Sequence, residues 1–324
     1  MIFPKNIEDN LVFVDTFAKT NSIMEQFAGK NVRVAYSGGS DSDTVMWLLK
    51  SLGYNITGVF FDTGLEYGAT WKHLEYMRSC GFNIEVIKAV TPIPLSNKKY
   101  GSPFISKYTS QMIAALQRYG FNFQEDGKLS FDELSEKYPQ GKSYLRWWCD
   151  LYKTKRYNIS RNMGLKEFLI KEGVPFKISH KCCDGAKKLP IKRYAKEIGI
   201  DLMLLGIRKE EGGIRSLAYK NCFVPKKYHT YGMYFPLFWW SKKDKNLFDL
   251  EMDIKHSDCY EVYGLERTGC AGCPFGGDFE KKLEVLLEFE PKLYKGANNI
   301  FGQSYDWTRK YKVFLEEMKN AKKV

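Results

Sequence analysis

The stretch Val32-Arg33-Val34-Ala35-Tyr36-Ser37-Gly38-Gly39-Ser40-Asp41-Ser42 decides how this chain folds. Val32 to Tyr36 is a short β-branched and aromatic run that ends in two glycines, which reads as a buried strand entering a tight turn. Beyond the turn, Val45, Met46, Leu48 and Leu49 recur at helical spacing, so the turn opens a helix over residues 42–52. A helix N-terminus presents backbone N–H groups and the positive end of the helix dipole to whatever sits above it. Glycines let a ligand approach that backbone closely, and serines add hydroxyl donors. Ser37, Gly38, Gly39, Ser40, Asp41 and Ser42 therefore read as a phosphate cradle. It is not a Walker A loop, because no Lys-Ser/Thr follows a second glycine four residues on. The plainer alternative is a glycine-rich turn with a Ser or Asp N-cap. The full string directly after a strand favours the cradle.

Working outward, strands are expected at 32–37, 56–62 and 84–90, with helices at 42–52 and 68–80. A helical lead-in precedes them, in which Ile23, Phe27 and Ala28 cap the sheet. Alternation of strands and helices on this period implies a parallel, doubly wound α/β sheet. Ligands of such sheets bind at the carboxyl ends of the strands, where Ser37 and Asp62 both lie. From Thr91 to Phe176 the pattern turns irregular and aromatic. Core elements resume with Lys177-Ile178-Ser179, a helix over about 184–198 and the strand Leu202-Met203-Leu204-Leu205. The chain is thus read as a nucleotide-binding α/β domain over 1–240 with an insertion at about 91–176. A helical C-terminal region follows over 241–324.

The 324 residues are 44% hydrophobic, enough to bury a large core, and carry a formal net charge of +12. No run of 18 apolar residues suggests a membrane span, and Met1-Ile2-Phe3-Pro4-Lys5-Asn6 opens no signal-peptide core. Eight cysteines without a secretory signal point to a reducing, cytoplasmic setting and to metal or redox use. The positive charge exceeds what ATP needs and suits nucleic acid. Solvated charge on a Lys-rich soluble enzyme is the alternative. The basic-aromatic segment Lys142-Ser143-Tyr144-Leu145-Arg146-Trp147-Trp148-Cys149, with Lys153, Lys155 and Arg156, could stack bases and pair phosphates. A helix with its tryptophans turned inward fits the same residues.

Cys182-Cys183 and Cys270-Ala271-Gly272-Cys273 supply four thiols, the second pair among glycines that can aim amides at sulfur. Four thiolates suit tetrahedral zinc or a [4Fe–4S] cubane. Adjacent cysteines diverge, so they serve two corners of a cubane better than one small ion. The expectation is a [4Fe–4S] cluster on Cys182, Cys183, Cys270 and Cys273, with zinc or no metal as alternatives. Cys149, beside basic residues, is a candidate sulfur-carrying thiol. Cys80, Cys222 and Cys259 read as small buried hydrophobes. The four histidines show no ligand spacing.

The Ser37–Ser42 string resembles the PP-loop of the ATP pyrophosphatase, or adenine nucleotide alpha-hydrolase, superfamily. Further segments narrow the resemblance to phosphoadenosine phosphosulfate (PAPS) reductases. Phe60-Phe61-Asp62-Thr63-Gly64-Leu65-Glu66 is similar to their DTG motif. Gly206-Ile207-Arg208-Lys209-Glu210-Glu211 with Arg215 is similar to their G-x-R-x-x-E-x-x-x-R segment. Phe235-Pro236-Leu237-Phe238-Trp239-Trp240 is similar to PL-x-x-W, and the cysteine pairs resemble those holding [4Fe–4S] in the adenylylsulfate (APS) branch. The motifs run in order over residues 30 to 280. One departure stands out: residues 278–324 contain no Cys and no His, whereas the reductases carry a nucleophilic cysteine in their C-terminal tail. The chain therefore looks like the PAPS-reductase-like proteins of phages and DNA-modification systems.

The resemblance implies an adenine-nucleotide-dependent enzyme that cleaves ATP at the α-phosphate. Phosphates would lie on Ser37 to Ser42, with Mg²⁺ on Asp41. Asp62, Thr63 and Gly64 would lie near the nucleotide, and Arg208 and Arg215 would pair phosphate or sulfate oxygens. Adenylyl transfer would release pyrophosphate, and a sulfur donor, which could be a partner protein, would displace AMP from an acceptor, which could be a nucleic acid. The cluster would position or deliver that sulfur, or hold the halves of the site together. Two alternatives stand beside it. One is a sulfonucleotide reductase whose thiol comes from Cys149 or a partner; the other is a non-catalytic nucleotide- or nucleic-acid-binding module.

Overall fold

The computed structural model describes residues 3–212, 218–228, 230–275 and 278–321. In chain order the elements begin with helices α1 (Lys5–Glu8) and α2 (Leu11–Gln26), strand β1 (Val32–Ala35) and helix α3 (Ser40–Ser51). Strand β2 (Gly58–Asp62), helix α4 (Gly68–Ser79) and strand β3 (Ile84–Lys88) follow. Five helices come next: α5 (Ile93–Tyr100), α6 (Lys107–Arg118), α7 (Phe131–Lys137), α8 (Lys142–Trp148) and α9 (Leu165–Glu172). Then come α10 (Leu189–Glu197), β4 (Leu202–Leu204), β5 (Phe223–Val224), β6 (Gly232–Tyr234), α11 (Lys242–Glu251) and α12 (Asp258–Glu261). Helices α13 (Phe279–Phe289) and α14 (Pro291–Ala321) complete the chain.

These elements divide into two compact units. The first comprises Met1–Val90 and Ala186–Cys270, the second Thr91–Gly185 and Ala271–Val324. The insertion expected at about 91–176 therefore extends to Gly185, and the C-terminal part of its unit begins at Ala271 rather than at 241. Residues 241–270 belong with the sheet, because Trp240, Phe248 and Ile254 are buried in the sheet's own core.

In the first unit, six strands among the described residues form one sheet in the order β3-β2-β1-β4-β6-β5. All neighbours are parallel except the β5–β6 edge. The side-chain period of two divides the sheet cleanly. Val32, Val34, Phe60, Leu202 and Leu204 face a core shared with α2, α3, α4 and α11, through Phe13, Leu48, Leu74 and Phe248. Ala35, Val59, Phe61 and Met203 face the other way, onto Tyr194 and Ala195 of α10. Helices thus cover both faces, as a parallel sheet requires. Ile23 and Phe27 pack against the first of these cores, as their spacing suggested. The two-residue strand β5 and three-residue β6 carry no pattern long enough to read beforehand.

Chain order reverses between β1 and β4: β1 leads through α3 to β2 on one side, while β4 pairs on the other. Such a switch point opens a crevice at the carboxyl ends of the two strands. The loop at 36–39 and the segment Leu205-Gly206-Ile207-Arg208 leave from those ends.

The second unit is helical around an aromatic core that includes Phe104, Phe121, Phe123, Trp147, Trp148, Phe168, Trp307 and Tyr311. Trp147 and Trp148 are 0% exposed. The inward reading of the basic-aromatic segment holds for them, and neither ring is placed to stack on a base. Trp148 meets Phe121 and Phe123 edge-on at 5.3 and 5.5 Å between ring centroids. Removing it leaves a cavity that rigid neighbours cannot fill. Trp148→Ala should cost about 3–5 kcal/mol, read as a lower urea midpoint of this unit; a loss below about 1 kcal/mol would contradict the packing.

Candidate functional site

The turn after β1 is built by its own side chains. Ser42 Oγ accepts from the backbone N–H of Gly39 at 3.2 Å and of Ser37 at 3.3 Å, and donates to the Gly39 carbonyl at 2.7 Å. Ser37 Oγ lies 3.2 Å from Ser42 Oγ. Gly38 sits at φ +68, where a side chain is strained, and a Cβ there would stand 2.9 Å from Thr70 Cγ2. Helix α3 starts at Ser40, with Asp41 and Asp43 in its first turn, where carboxylates favour the dipole.

Gly206, on the segment leaving β4, passes directly over this turn. A Cβ at Gly206 would lie 2.7 Å from the Asp41 carbonyl oxygen and 2.8 Å from its carbon. Only a glycine permits that approach, which sets the next charged residue in place: Arg208 Nε donates to Asp41 Oδ1 at 2.9 Å, across 167 residues of sequence. Arg208 Nη1 also lies 3.5 Å from Glu210 Oε2. Glu211 hydrogen-bonds Asp41 from the other side; burial and the Asp41 charge push its carboxyl up to about 7, against the pull of Arg267 and Arg208. Arg267 Nη2 reaches Glu211 Oε2 at 3.2 Å. The crevice therefore holds three carboxylates and two guanidiniums around the start of α3. It opens into a cavity of ≈ 720 Å³ whose lining includes Ser40, Arg208, Glu211, Lys245, His256 and Tyr260. Gly206→Ala must push backbone against backbone, so it should cost about 1–3 kcal/mol in urea unfolding. An unchanged midpoint would show that the approach is not tight.

Behind the turn lies a polar network that sequence reasoning missed. Asp43 is 0% exposed. Tyr36 donates its phenol proton to Asp43 Oδ1 at 2.7 Å, and His256 Nδ1 stands 2.9 Å from Asp43 Oδ2. His73 Nε2 is also 2.9 Å from Oδ2, off the line of a good hydrogen bond. Burial would raise the Asp43 carboxyl, but the two imidazoles outweigh it and hold it below its ordinary range. His256 Nε2 meets Asp249 Oδ2 at 3.0 Å; Asp249 is further bound by Lys245 and by the Thr44 hydroxyl at 2.7 Å. Burial works against a charged His256 ring, yet hydrogen bonds to Asp249 and Asp43 outweigh it and push the imidazole up to about 9. His73 and His256 show no ligand spacing because Asp43, which both serve, is distant in sequence.

His256 carries a consequence for stability. Its folded pKa of about 9 lies above its ordinary 6.5, so the bond to a protonated ring contributes fully below 6.5 and is lost as pH rises through 9. The difference in urea midpoint between the wild type and His256→Gln should shrink from pH 7 to pH 10. A difference constant over that range would mean that the ring is not held protonated.

The remaining expected site residues are placed as follows. Asp62 Oδ1 accepts from Gly64 N–H at 2.8 Å, closing its own turn. Thr63 is 0% exposed and donates to Glu66 Oε1 at 2.5 Å, with Cys270 Sγ 3.6 Å from its hydroxyl. Arg215 lies outside the described residues. Among the described residues no group of three or more His, Cys, Asp or Glu side chains is arranged to hold a metal ion. The expected cluster on Cys182, Cys183, Cys270 and Cys273 is accordingly not supported. Cys270 belongs to the first unit, against Thr63, and Cys182, Cys183 and Cys273 belong to the second. Burial pushes the Cys273 thiol up. Cys149 also departs from expectation, since burial raises its pKa more than Lys166 lowers it, which disfavours the thiolate.

Comparison with known proteins sets part of this geometry beside a known domain. Residues 151–275 are similar to the phosphoadenosine phosphosulfate reductase domain. The matched span contains Gly206, Arg208 and both cysteine pairs; the Ser37–Ser42 turn precedes it. An uncharacterized protein of Methanocaldococcus jannaschii is 26% identical over 277 residues, covering 84% of this chain and 41% of that protein. The chain thus spans about two fifths of the length of the curated relative it matches. The crystal structure of a PAPS reductase from Candida auris, in a phosphate complex, overlaps 83% of this chain and 97% of its own at a TM-score of 0.43 and 13% identity. No helix among the described residues is long and apolar enough to cross a membrane.

Proposed function

We propose that this PAPS reductase-like chain is an adenine-nucleotide-dependent enzyme that cleaves ATP at the α-phosphate and serves sulfur transfer in a reducing, cytoplasmic setting. The observation that carries the reading is the Arg208–Asp41 pair at the start of α3, where a glycine-rich turn meets the β4 end of a switch-point crevice. The β and γ phosphates lie on the α3 N-terminus, where backbone N–H groups and dipole favour anions. Arg208 keeps Nε on Asp41 and turns its terminal nitrogens to phosphate oxygens. Arg267 and Lys245 add positive charge to the lining. Asp62, Thr63 and Gly64 shape the neighbouring strand end, and Arg215 supplies a further phosphate contact.

Asp41 and Glu211 fit the Mg²⁺ of a metal–nucleotide. Two carboxylates crowded enough to hold one near pH 7 gain from a shared cation, and Mg²⁺ on a nucleotide takes one or two protein carboxylates. When bound, it neutralises charge on the phosphates. The reaction is a displacement: an acceptor oxygen bonds to the α-phosphorus, the bond to the α,β-bridging oxygen breaks, and pyrophosphate leaves. A sulfur donor, which a partner protein can supply, then attacks the adenylylated carbon and AMP leaves. A nucleic acid acceptor is supported by charge. The second unit carries 26 Lys and Arg against 17 Asp and Glu, most of the excess in the chain.

Reduction of a sulfonucleotide by an external thiol is the second reading, favoured by the domain matched over 151–275. One experiment separates them. Incubation with ATP, Mg²⁺, a nucleic acid acceptor and a thiol as sulfur donor should yield pyrophosphate and AMP, and Arg208→Ala should lower the rate at least about 100-fold, as for a lost charge-assisted contact to developing charge. Sulfite release from PAPS or APS with a thiol, and no pyrophosphate from ATP, would install the reductase instead. No turnover of any of these nucleotides would leave a binding module.

A further inference from the structure

The phosphate cradle is already in use. Tyr260, on α12, places its phenol over the α3 N-terminus: a Cβ built at Gly39 would stand 3.1 Å from Tyr260 Oη and 3.4 Å from Thr268 Oγ1. The phenol oxygen accepts from the backbone N–H of Thr268 at 3.3 Å. It also shares a hydrogen bond of 3.0 Å with the Thr268 hydroxyl. Tyr260 and Ser40 line the same cavity.

An oxygen held against Gly39 stands where a phosphate resting on this helix N-terminus would lie. Two oxygens cannot fill that place at once. A phosphate on the turn and the Tyr260 phenol therefore compete for it. We propose that Tyr260 is an anion stand-in, which seals the cradle in the free protein and must swing away when a nucleotide phosphate binds. Thr268 is its latch, holding the phenol from two sides. Thr268 lies two residues before Cys270, so displacement of the phenol also releases the 264–270 segment from the cradle. The inference rests on the adenine nucleotide reading above.

The test is calorimetric binding of ATP and of inorganic pyrophosphate to the full chain. Tyr260→Phe keeps the ring and removes the competing oxygen, leaving the Thr268 N–H without that acceptor until an anion arrives. Affinity for both ligands should rise roughly 3- to 10-fold, the size of one net hydrogen bond. Thr268→Val removes the hydroxyl half of the latch and should raise affinity in the same direction by a smaller factor; it decides the matter if the phenylalanine variant does not fold. Equal or weaker binding in the variants, with clear binding by the wild type, would overturn the stand-in and make Tyr260 a contact to bound phosphate or a bystander. Failure of the wild type and of both variants to bind either ligand would overturn the nucleotide reading itself, and this inference with it.

Discussion

A fully buried carboxylate, Asp43, is the constraint around which the first unit is arranged. Desolvating a carboxylate costs several kcal/mol unless partners repay it. Asp43 sits in the first turn of α3, so every partner that repays the cost also fixes the turn that carries Ser40 and Asp41. Tyr36 comes from the end of β1, His73 from α4 and His256 from the segment after α11. Three parts of the unit are thereby tied to one carboxylate. Asp249 and Lys245 extend the network to the cavity wall, so the Ser37–Ser42 turn rests on a charged foundation rather than an apolar one.

Two charge systems of different character meet at α3. Behind the turn, the Asp43 network is saturated, with His256 protonated between two aspartates. In front of it, Asp41, Glu211, Arg208 and Arg267 line open space, and Glu211 is held near neutrality by crowding. A saturated network gives rigidity, and an unsaturated one leaves capacity for a ligand. Preorganisation of this kind lets a site meet phosphate charge with little rearrangement of its backbone.

The second unit contributes differently. Its tryptophans are spent on packing, so its surface chemistry is carried by lysine and arginine side chains. Arg156 lies over the Tyr157 ring at 4.7 Å, and Tyr157 is one of its more exposed aromatics. Charge is concentrated here, whereas the phosphate cradle and its network lie wholly in the sheet unit.

The sequence by itself determined the strand–turn–helix at 32–51, the parallel sheet that follows from strand–helix alternation, and the candidates Asp41 and Arg208. These rest on short-range signals: period-two burial, helical spacing, and glycine and serine chemistry in one turn. Tertiary structure alone decided who stands beside them. Arg208 and Asp41 are 167 residues apart, and His256 and Asp43 are 213 apart. No local pattern encodes such pairings, so four histidines without ligand spacing looked idle. The cysteine pairs were legible as spacing, but spacing does not fix a metal site, and none is arranged around them among the described residues. Strands β5 and β6 were invisible because two or three residues show no period, whereas the equally short β4 lies in the continuous apolar run Leu202–Leu205.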